Sequence, residues 1–99
     1  MAISVFGKIP SREMYESVNE VVFGSKEPKM PDGLIIHTAG EGSDGFYVVD
    51  VWESREAFDA FMSDRIMPAI DELGFEADDS MTPKIIDVST IIVNAEARV

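Results

Sequence analysis

The chain has 99 residues, of which 45% are hydrophobic and none is cysteine. This length fits one domain over residues 1–99 with a modest core, and the lack of cysteine excludes disulfides and thiolate chemistry. The net charge of −11 argues against nucleic acid and anionic membrane surfaces as partners, because both need clustered Lys and Arg. Without a signal-peptide pattern or a bilayer-length apolar run, we expect a soluble, cytoplasmic protein.

Hydrophobic patterning predicts a first strand followed by a helix. Residues 2–6 are apolar and are soon followed by a glycine and a proline, which is typical of a short strand. Ser11 is suited to cap a helix. The apolar stripe of that helix has i, i+4, i+7, i+8 spacing and consists of Met14, Val18, Val21 and Val22. Gly24 is expected to end the helix, and residues 25–33, which contain two prolines, indicate a loop.

The middle of the chain predicts a β-hairpin and a second helix. Residues 34–39 and 46–52 are rich in β-branched and aromatic side chains, and the sequence GEGSDG between them supplies turn residues. Ser54 is suited to cap the second helix. Its apolar face consists of Phe58, Phe61, Met62, Ile66, Ala69, Ile70 and Leu73. Pro68 falls within this run, so we expect a kink or a restart there.

The remaining residues complete a recognisable order of elements. An acidic loop leads to a last strand over residues 84–93, and the tail that follows is expected to fray. The order is strand, helix, strand, strand, helix, strand. Two split β-α-β units in this order predict an α+β, ferredoxin-like βαββαβ fold, in which an antiparallel sheet carries both helices on one face.

Both faces of the predicted sheet are apolar. In the three later strands, neither face carries the series of Lys, Glu and Gln side chains that is typical of a solvent-exposed face. Two helices cover only one side, and leaving the other side wet would be unusual for a monomer. We therefore predict an obligate homodimer in which two copies of the sheet pack face to face.

The hairpin holds the only His, the only Trp and an Asp flanked by valines. A two- or four-residue loop would place His37 opposite Asp50 and Ile35 opposite Trp52, whereas a three-residue loop would move His37 opposite a valine. In the first register, His37, Asp50 and Trp52 share one face of the sheet, within reach of Asp87 or Ser89 if the last strand comes close. The sequence does not decide which face this is.

The segment VVDVWESREAFDAFMSDRIMPAI resembles the dimeric α-β barrel superfamily, and most of all its antibiotic-biosynthesis-monooxygenase-like group. The matching pattern is Trp52, Ser54, Ala57, Phe58 and Phe61, supported by the order of elements over nearly the whole chain. The resemblance implies a homodimer with a ligand cleft between the sheet and the helices of each subunit. It is specific for fold but not for activity, because the superfamily includes cofactor-free monooxygenases, haem degraders and isomerases.

Two departures from the superfamily bear on activity. Haem-degrading members carry an Asn in the first strand and a Trp and a His on the second helix. Here residues 2–6 contain no Asn, the Trp position falls at Phe61 and the His position falls near Asp71, which argues against haem degradation. Many monooxygenase-like members also carry a His near the start of the second helix, and this chain has none there.

His37 is the candidate catalytic base, because histidine is the side chain type that transfers protons in both directions near neutral pH. Asp50 is the candidate partner that orients it. Trp52, Phe61 and Asp87 are the candidate substrate-binding residues. Each has a structural interpretation beside the functional one: a hydrogen-bonded structural histidine, aromatic rings packed in the core or dimer interface, and carboxylates bonded between subunits.

The leading hypothesis is a small-molecule enzyme, a cofactor-independent monooxygenase acting on an aromatic or polyketide-type compound. The alternative is a non-catalytic dimeric module that binds a small ligand or only assembles. One His with scattered carboxylates lacks metal-ligand spacing, and no Gly-rich stretch precedes a helix, so we predict neither metal nor cofactor. Tyr47, on the opposite face from Asp50, is predicted to be a core residue.

Overall fold

The computed structural model describes residues 1–76, 81–94 and 96, so part of the predicted acidic loop and of the tail lies outside the described residues. The elements are β1 (Ile3–Ile9), α1 (Arg12–Phe23), β2 (Leu34–Gly42), β3 (Gly45–Trp52), α2 (Arg55–Phe61), a π-helical turn (Met62–Ile66), α3 (Met67–Leu73) and β4 (Lys84–Asp87). The strands form one antiparallel sheet in the order β2-β3-β1-β4, which is the predicted ferredoxin-like topology. Within the described ranges, no helix is long and apolar enough to cross a membrane.

Both helices begin at the residues that the sequence predicts. The Ser11 hydroxyl accepts a hydrogen bond from the Met14 backbone N–H at 3.1 Å, and the Ser54 hydroxyl accepts one from Ala57 at 3.1 Å. These bonds satisfy N–H groups that have no partner inside the helix. Gly24 follows the last residue of α1, and its N–H donates to the Glu20 carbonyl oxygen at 2.9 Å.

The core lies between the helices and one side of the sheet, which we call the inner face. Its centre is the set of buried side chains Ile3, Val5, Trp52 and Phe58. In α1, Met14 is buried but Val21 is 44% exposed, so the predicted stripe is only partly a core stripe.

The core position that the sequence predicts for Tyr47 is wrong. Tyr47 lies half-buried on the opposite side of the sheet, and its hydroxyl donates to Asp44 at 2.8 Å. Because side chains alternate along a strand, its neighbour Phe46 is buried instead.

The second helix passes through a π-helical turn and restarts as α-helix at Met67, next to Pro68, where a kink or a restart is predicted. Proline has no N–H to donate, and in an α-helix its ring clashes with the carbonyl group four residues earlier. The wider turn at Met62–Ile66 accommodates this proline, which then stands in the first turn of α3. Arg65, within the turn, donates to the carbonyl oxygens of Val22 and Lys29, both at 2.7 Å, and so ties the helix to α1 and the loop that follows it.

The last strand is shorter than the predicted range of residues 84–93. It ends at Asp87, which pairs with Ile3, and one further bond joins the Val88 N–H to the Ala2 carbonyl oxygen at 2.9 Å. β4 is an edge strand that pairs only with β1, and β1 begins at Ile3, so the residues beyond have no strand beside them. Three apolar side chains therefore stand exposed outside the sheet: Ile91 at 46%, Ile92 at 90% and Val93 at 76%.

Candidate functional site

The β2–β3 hairpin sets the geometry of the candidate site. Gly42 pairs with Gly45, so the loop has two residues, and this register places His37 opposite Asp50 as predicted. Nearer the start of β2 the pairing shifts at a β-bulge, so that Leu34, not the predicted Ile35, stands opposite Trp52. The extra residue of the bulge lies between Leu34 and Ile36, and it changes the pairing there without disturbing the His37 register.

His37 and Asp50 are in direct contact on the inner face. The His37 Nδ1 and Asp50 Oδ1 atoms are 2.6 Å apart. The second carboxylate oxygen of Asp50 accepts a hydrogen bond from the Trp52 indole N–H at 3.3 Å. The Asp50 side chain is only 9% exposed, and a buried carboxylate is costly unless donors face its oxygens. Asp50 is thus held by the two other conspicuous side chains of the hairpin.

Tyr15, on α1, extends this group of hydrogen-bonded residues. Its hydroxyl lies 2.7 Å from His37 Nε2. Because a carboxylate only accepts hydrogen bonds, we assign the imidazole proton to Nδ1, which leaves Nε2 to accept from the Tyr15 hydroxyl. The Tyr15 ring also packs on Phe46, with centroids 5.0 Å apart, which fixes its position over the sheet. The result is a chain of hydrogen bonds from Tyr15 through His37 and Asp50 to Trp52.

The surroundings of Tyr15 favour its neutral form. Burial raises the pKa of the Tyr15 phenol above its ordinary value, and the negative charge of Asp50 raises it further. The hydroxyl therefore keeps its proton at neutral pH and acts as the donor to His37. Tyr15 is not among the site residues predicted from the sequence. The signal that points to it is the i, i+3, i+4, i+7 spacing of Tyr15, Val18, Asn19 and Val22, which all line one cavity.

The cavity lies between the inner face and the helices, at the position that the resemblance implies for a ligand cleft. Its volume is about 310 Å³. Most of its lining is apolar, and the polar side chains among the described lining residues are Tyr15, Asn19, His37, Asp50 and Thr82. No Lys or Arg is among these lining residues. The only fixed charge on this part of the wall is thus the Asp50 carboxylate.

Aromatic rings form one wall of the cavity. Trp52 is fully buried, and its ring centroid lies 5.2 Å from that of Phe61 and 5.9 Å from that of Phe58. Trp52 and Phe61, the two aromatic residues predicted to contact a ligand, both line the cavity. They also belong to the packed core or its border, so these rings serve the fold whether or not a ligand stacks on them.

Asp87 is the one candidate residue that the structure does not bring to this site. It lies exposed at the end of β4, opposite Ile3, and is not among the residues that line the cavity. In the part of the chain that the structure describes, no three His, Cys, Asp or Glu side chains are grouped so that they could hold a metal ion. The site therefore consists of the Tyr15–His37–Asp50 chain and the aromatic wall.

Comparison with known proteins identifies the fold. No protein-family model and no curated protein matches the sequence. Among solved structures, a candidate antibiotic biosynthesis monooxygenase from Deinococcus radiodurans superimposes with a TM-score of 0.62 at 16% identity, over 95% of this chain and 98% of the other. A point mutant of MhuD, with two manganese protoporphyrin IX bound per active site, gives 0.52 at 18% identity, over 95% and 100%. A point mutant of SnoaB, a cofactor-independent oxygenase from Streptomyces nogalater, gives 0.51 at 15% identity, over 94% and 95%.

These similarities define the class of fold. The chain has the fold of the antibiotic-biosynthesis-monooxygenase-like proteins, as the resemblance in sequence predicted. At 15–18% identity the likeness extends to the backbone and not to the chemistry. The function has to be argued from the cavity and the side chains that line it.

Proposed function

We propose that this protein is a cytoplasmic, cofactor-independent monooxygenase that acts on an aromatic or polyketide-type compound. His37 is the base, Asp50 orients it, and Trp52 and Phe61 are the walls of the binding site. The observation that carries the proposal is the contact of 2.6 Å between His37 and Asp50 at the edge of a largely apolar cavity. The names of two proteins of similar fold, an antibiotic biosynthesis monooxygenase and a cofactor-independent oxygenase, support the same class of reaction.

The chemistry follows from what such a reaction needs. Oxygenation without a metal or flavin requires a base that converts an acidic C–H or phenol into a carbanion or phenolate able to reduce O₂. His37 supplies the base, and the carboxylate of Asp50 holds the ring in one tautomer and stabilises the imidazolium that forms. The apolar wall excludes water from the anion and fits flat, hydrophobic rings.

The charge of the cavity favours a ligand without a net negative charge. The described lining contains Asp50 but no Lys or Arg that could pair with carboxylate or phosphate groups. A porphyrin with its two propionates would therefore bring negative charge to a cavity whose described lining has no Lys or Arg to pair with it. Together with the residues missing from the haem-degrading pattern, this favours a neutral hydroxyaromatic compound over haem.

We expect His37→Gln to abolish O₂ uptake on the substrates that the wild-type protein accepts, because Gln cannot take up a proton. The measurement is O₂ consumption with a panel of quinols and anthrones. Glu41→Gln is the matched control, since Glu41 lies exposed on the same strand, outside the cavity lining. Retained uptake in His37→Gln would remove the base from the mechanism. No uptake by wild-type protein on any compound would favour the non-catalytic binding module.

We also propose that the protein forms a homodimer through the side of its sheet that faces away from the helices, which we call the outer face. In the described structure the helices pack on the inner face only. The outer face presents four large apolar side chains that are 36–51% exposed: Phe6, Ile36, Val49 and Ile86. They come from all four strands, with Phe6 directly opposite Val49, and a second copy of the same face would cover them.

The dimer is tested by light scattering after gel filtration. We expect a mass near twice 10.9 kDa at micromolar concentration. Ile36→Lys is expected to give a folded monomer, because the side chain is 51% exposed in one chain and a charge there opposes association. Met30→Lys, at a loop position that is 57% exposed, is the control and should leave the mass unchanged. A wild-type monomer would contradict the proposal.

A further inference from the structure

Both nitrogens of the His37 imidazole already have hydrogen-bond partners within the protein. His37 Nδ1 is engaged by Asp50 at 2.6 Å, and His37 Nε2 by the Tyr15 hydroxyl at 2.7 Å. Nε2 is the only atom of a neutral imidazole in this tautomer that can take up a proton. A ligand that gives its proton to His37 would thus have to displace Tyr15 or pass the proton through it. Tyr15 itself lines the cavity.

We propose that Tyr15 is the catalytic residue that contacts the acidic proton of the substrate and relays it to His37, an inference that rests on the proposed function of the cavity. The Tyr15 oxygen takes the substrate proton as its own hydroxyl proton moves to His37 Nε2. The substrate O–H or C–H bond and the old Tyr15 O–H bond break, while a new Tyr15 O–H bond and an Nε2–H bond form. The products are the substrate anion and an imidazolium paired with Asp50, and nothing is oxidised or reduced.

Two features of the site suit a relay of this kind. Tyr15 is neutral before and after the transfer, so the reaction never needs a free tyrosinate, which burial and the charge of Asp50 disfavour. The relay is also held in place without the substrate. The Tyr15 ring packs on Phe46 and lies nearly parallel to the His37 ring, with an interplanar angle of 14° and centroids 6.0 Å apart. Such positioning lowers the entropy that the proton transfer has to lose.

The position of the Tyr15 hydroxyl also indicates which group of the substrate reacts. On binding, the phenol hydroxyl of a substrate meets the Tyr15 hydroxyl, and its ring meets the apolar wall. The substrate becomes charged only when it gives up its proton. The proton it loses stays within the site as the imidazolium beside Asp50. The site therefore fits a neutral hydroxyaromatic compound whose hydroxyl points at Tyr15 and whose rings lie along the aromatic wall.

The experiment uses alizarin, a dihydroxyanthraquinone dye whose absorption shifts when its hydroxyl ionises. With wild-type protein, at a pH where free alizarin is neutral and nitrogen NMR shows a neutral His37 ring before the dye is added, we expect the bound dye to show the spectrum of the anion. Tyr15→Phe and His37→Gln should both bind the dye but leave it neutral. The matched control is Tyr47→Phe, which removes the chain's other tyrosine hydroxyl, one that is bonded to Asp44 and lies outside the cavity lining. It should behave as wild type.

The outcomes separate the relay from the rest of the proposed function. Ionised dye in Tyr15→Phe but not in His37→Gln would show direct transfer to the imidazole and would overturn the relay. Wild-type protein that does not bind or ionise the dye also overturns it. Ionisation in the wild type that both variants lose, without O₂ uptake on any compound, supports the relay and contradicts the monooxygenase.

A second measurement does not depend on how Tyr15→Phe folds. Nitrogen NMR of the imidazole in the wild-type protein needs no assignment, because the chain has one His. We expect proton uptake at Nε2 when alizarin binds, so that both ring nitrogens carry protons. An Nε2 that stays unprotonated beside the ionised dye would overturn the relay.

Discussion

Asp50→Asn is expected to lower turnover by roughly 10²- to 10⁴-fold, the range that general acid–base catalysis contributes. Two donors face this side chain: the His37 Nδ1–H group at 2.6 Å and the Trp52 indole N–H at 3.3 Å. A carboxylate accepts both bonds, one on each oxygen. A carboxamide has only one accepting oxygen and presents an NH₂ group in place of the other.

Either orientation of the Asn side chain disturbs the site. With its oxygen toward Trp52, the amide NH₂ faces His37 Nδ1, which moves the ring proton to Nε2 and prevents Nε2 from accepting the Tyr15 hydroxyl. With its oxygen toward His37, the amide NH₂ meets the Trp52 indole N–H inside the core, and neither of these two N–H groups then has an acceptor. We also expect the free energy of unfolding to fall by about 1.5–3 kcal/mol, because a charge-assisted bond is lost.

The measurement is O₂ uptake on the same compound panel, together with the alizarin spectrum, which should show neutral dye in Asp50→Asn. Asp87→Asn is the matched control: it makes the same chemical change on another strand of the sheet, at an exposed position outside the cavity lining. Wild-type turnover in Asp50→Asn would mean that the carboxylate does not orient the base.

Trp52→Ala is expected to destabilise the fold by about 3–5 kcal/mol, the usual range for removal of a large buried aromatic ring. Trp52 is fully buried and packs against Phe58 and Phe61, so its removal leaves a void at the centre of the core. It also removes the donor on the second oxygen of Asp50. Domains of this size are stabilised by only about 5–15 kcal/mol, so the loss is a large part of the total.

This prediction is checked by urea unfolding followed by circular dichroism at a fixed protein concentration. Fluorescence is unsuitable because the substitution removes the only tryptophan. Trp52→Phe should lose less, since a ring still fills most of the space. Val21→Ala, on a side chain that is 44% exposed, should change stability by less than any of these. A Trp52→Ala midpoint equal to that of Val21→Ala would contradict the assigned role in the core.

Local sequence patterns predicted the order of elements because each pattern depends on near neighbours. Ser11 and Ser54 start their helices at the expected residues, and the two-residue loop fixes the pairing of His37 with Asp50. The end of β4 could not be predicted in this way. Where that strand stops depends on where β1 begins, which is a contact between opposite ends of the chain.

The part of the candidate site that lies on the β2–β3 hairpin was predicted, whereas Tyr15, which lies on α1, was missed. The hairpin residues could be predicted because a His and an Asp are unexpected among β-branched neighbours on a strand face that is otherwise apolar. Tyr15 was missed because it lies beside Met14 in a helix whose apolar spacing already had an explanation as core. Its contact with His37 spans 22 residues and requires α1 to cross the inner face, which is known only from the fold.

The widened turn before Pro68 has a consequence for how related cavities could differ. Successive residues of an α-helix are rotated by about 100°, so one extra residue in a turn changes which side chains the following segment aims inward. Side chains from the turn and from the helix after it line the cavity: Met62, Ile66, Met67 and Ile70. Deleting a single residue here would rotate the side chains of α3 together by about 100° and would therefore change several parts of the cavity wall at once.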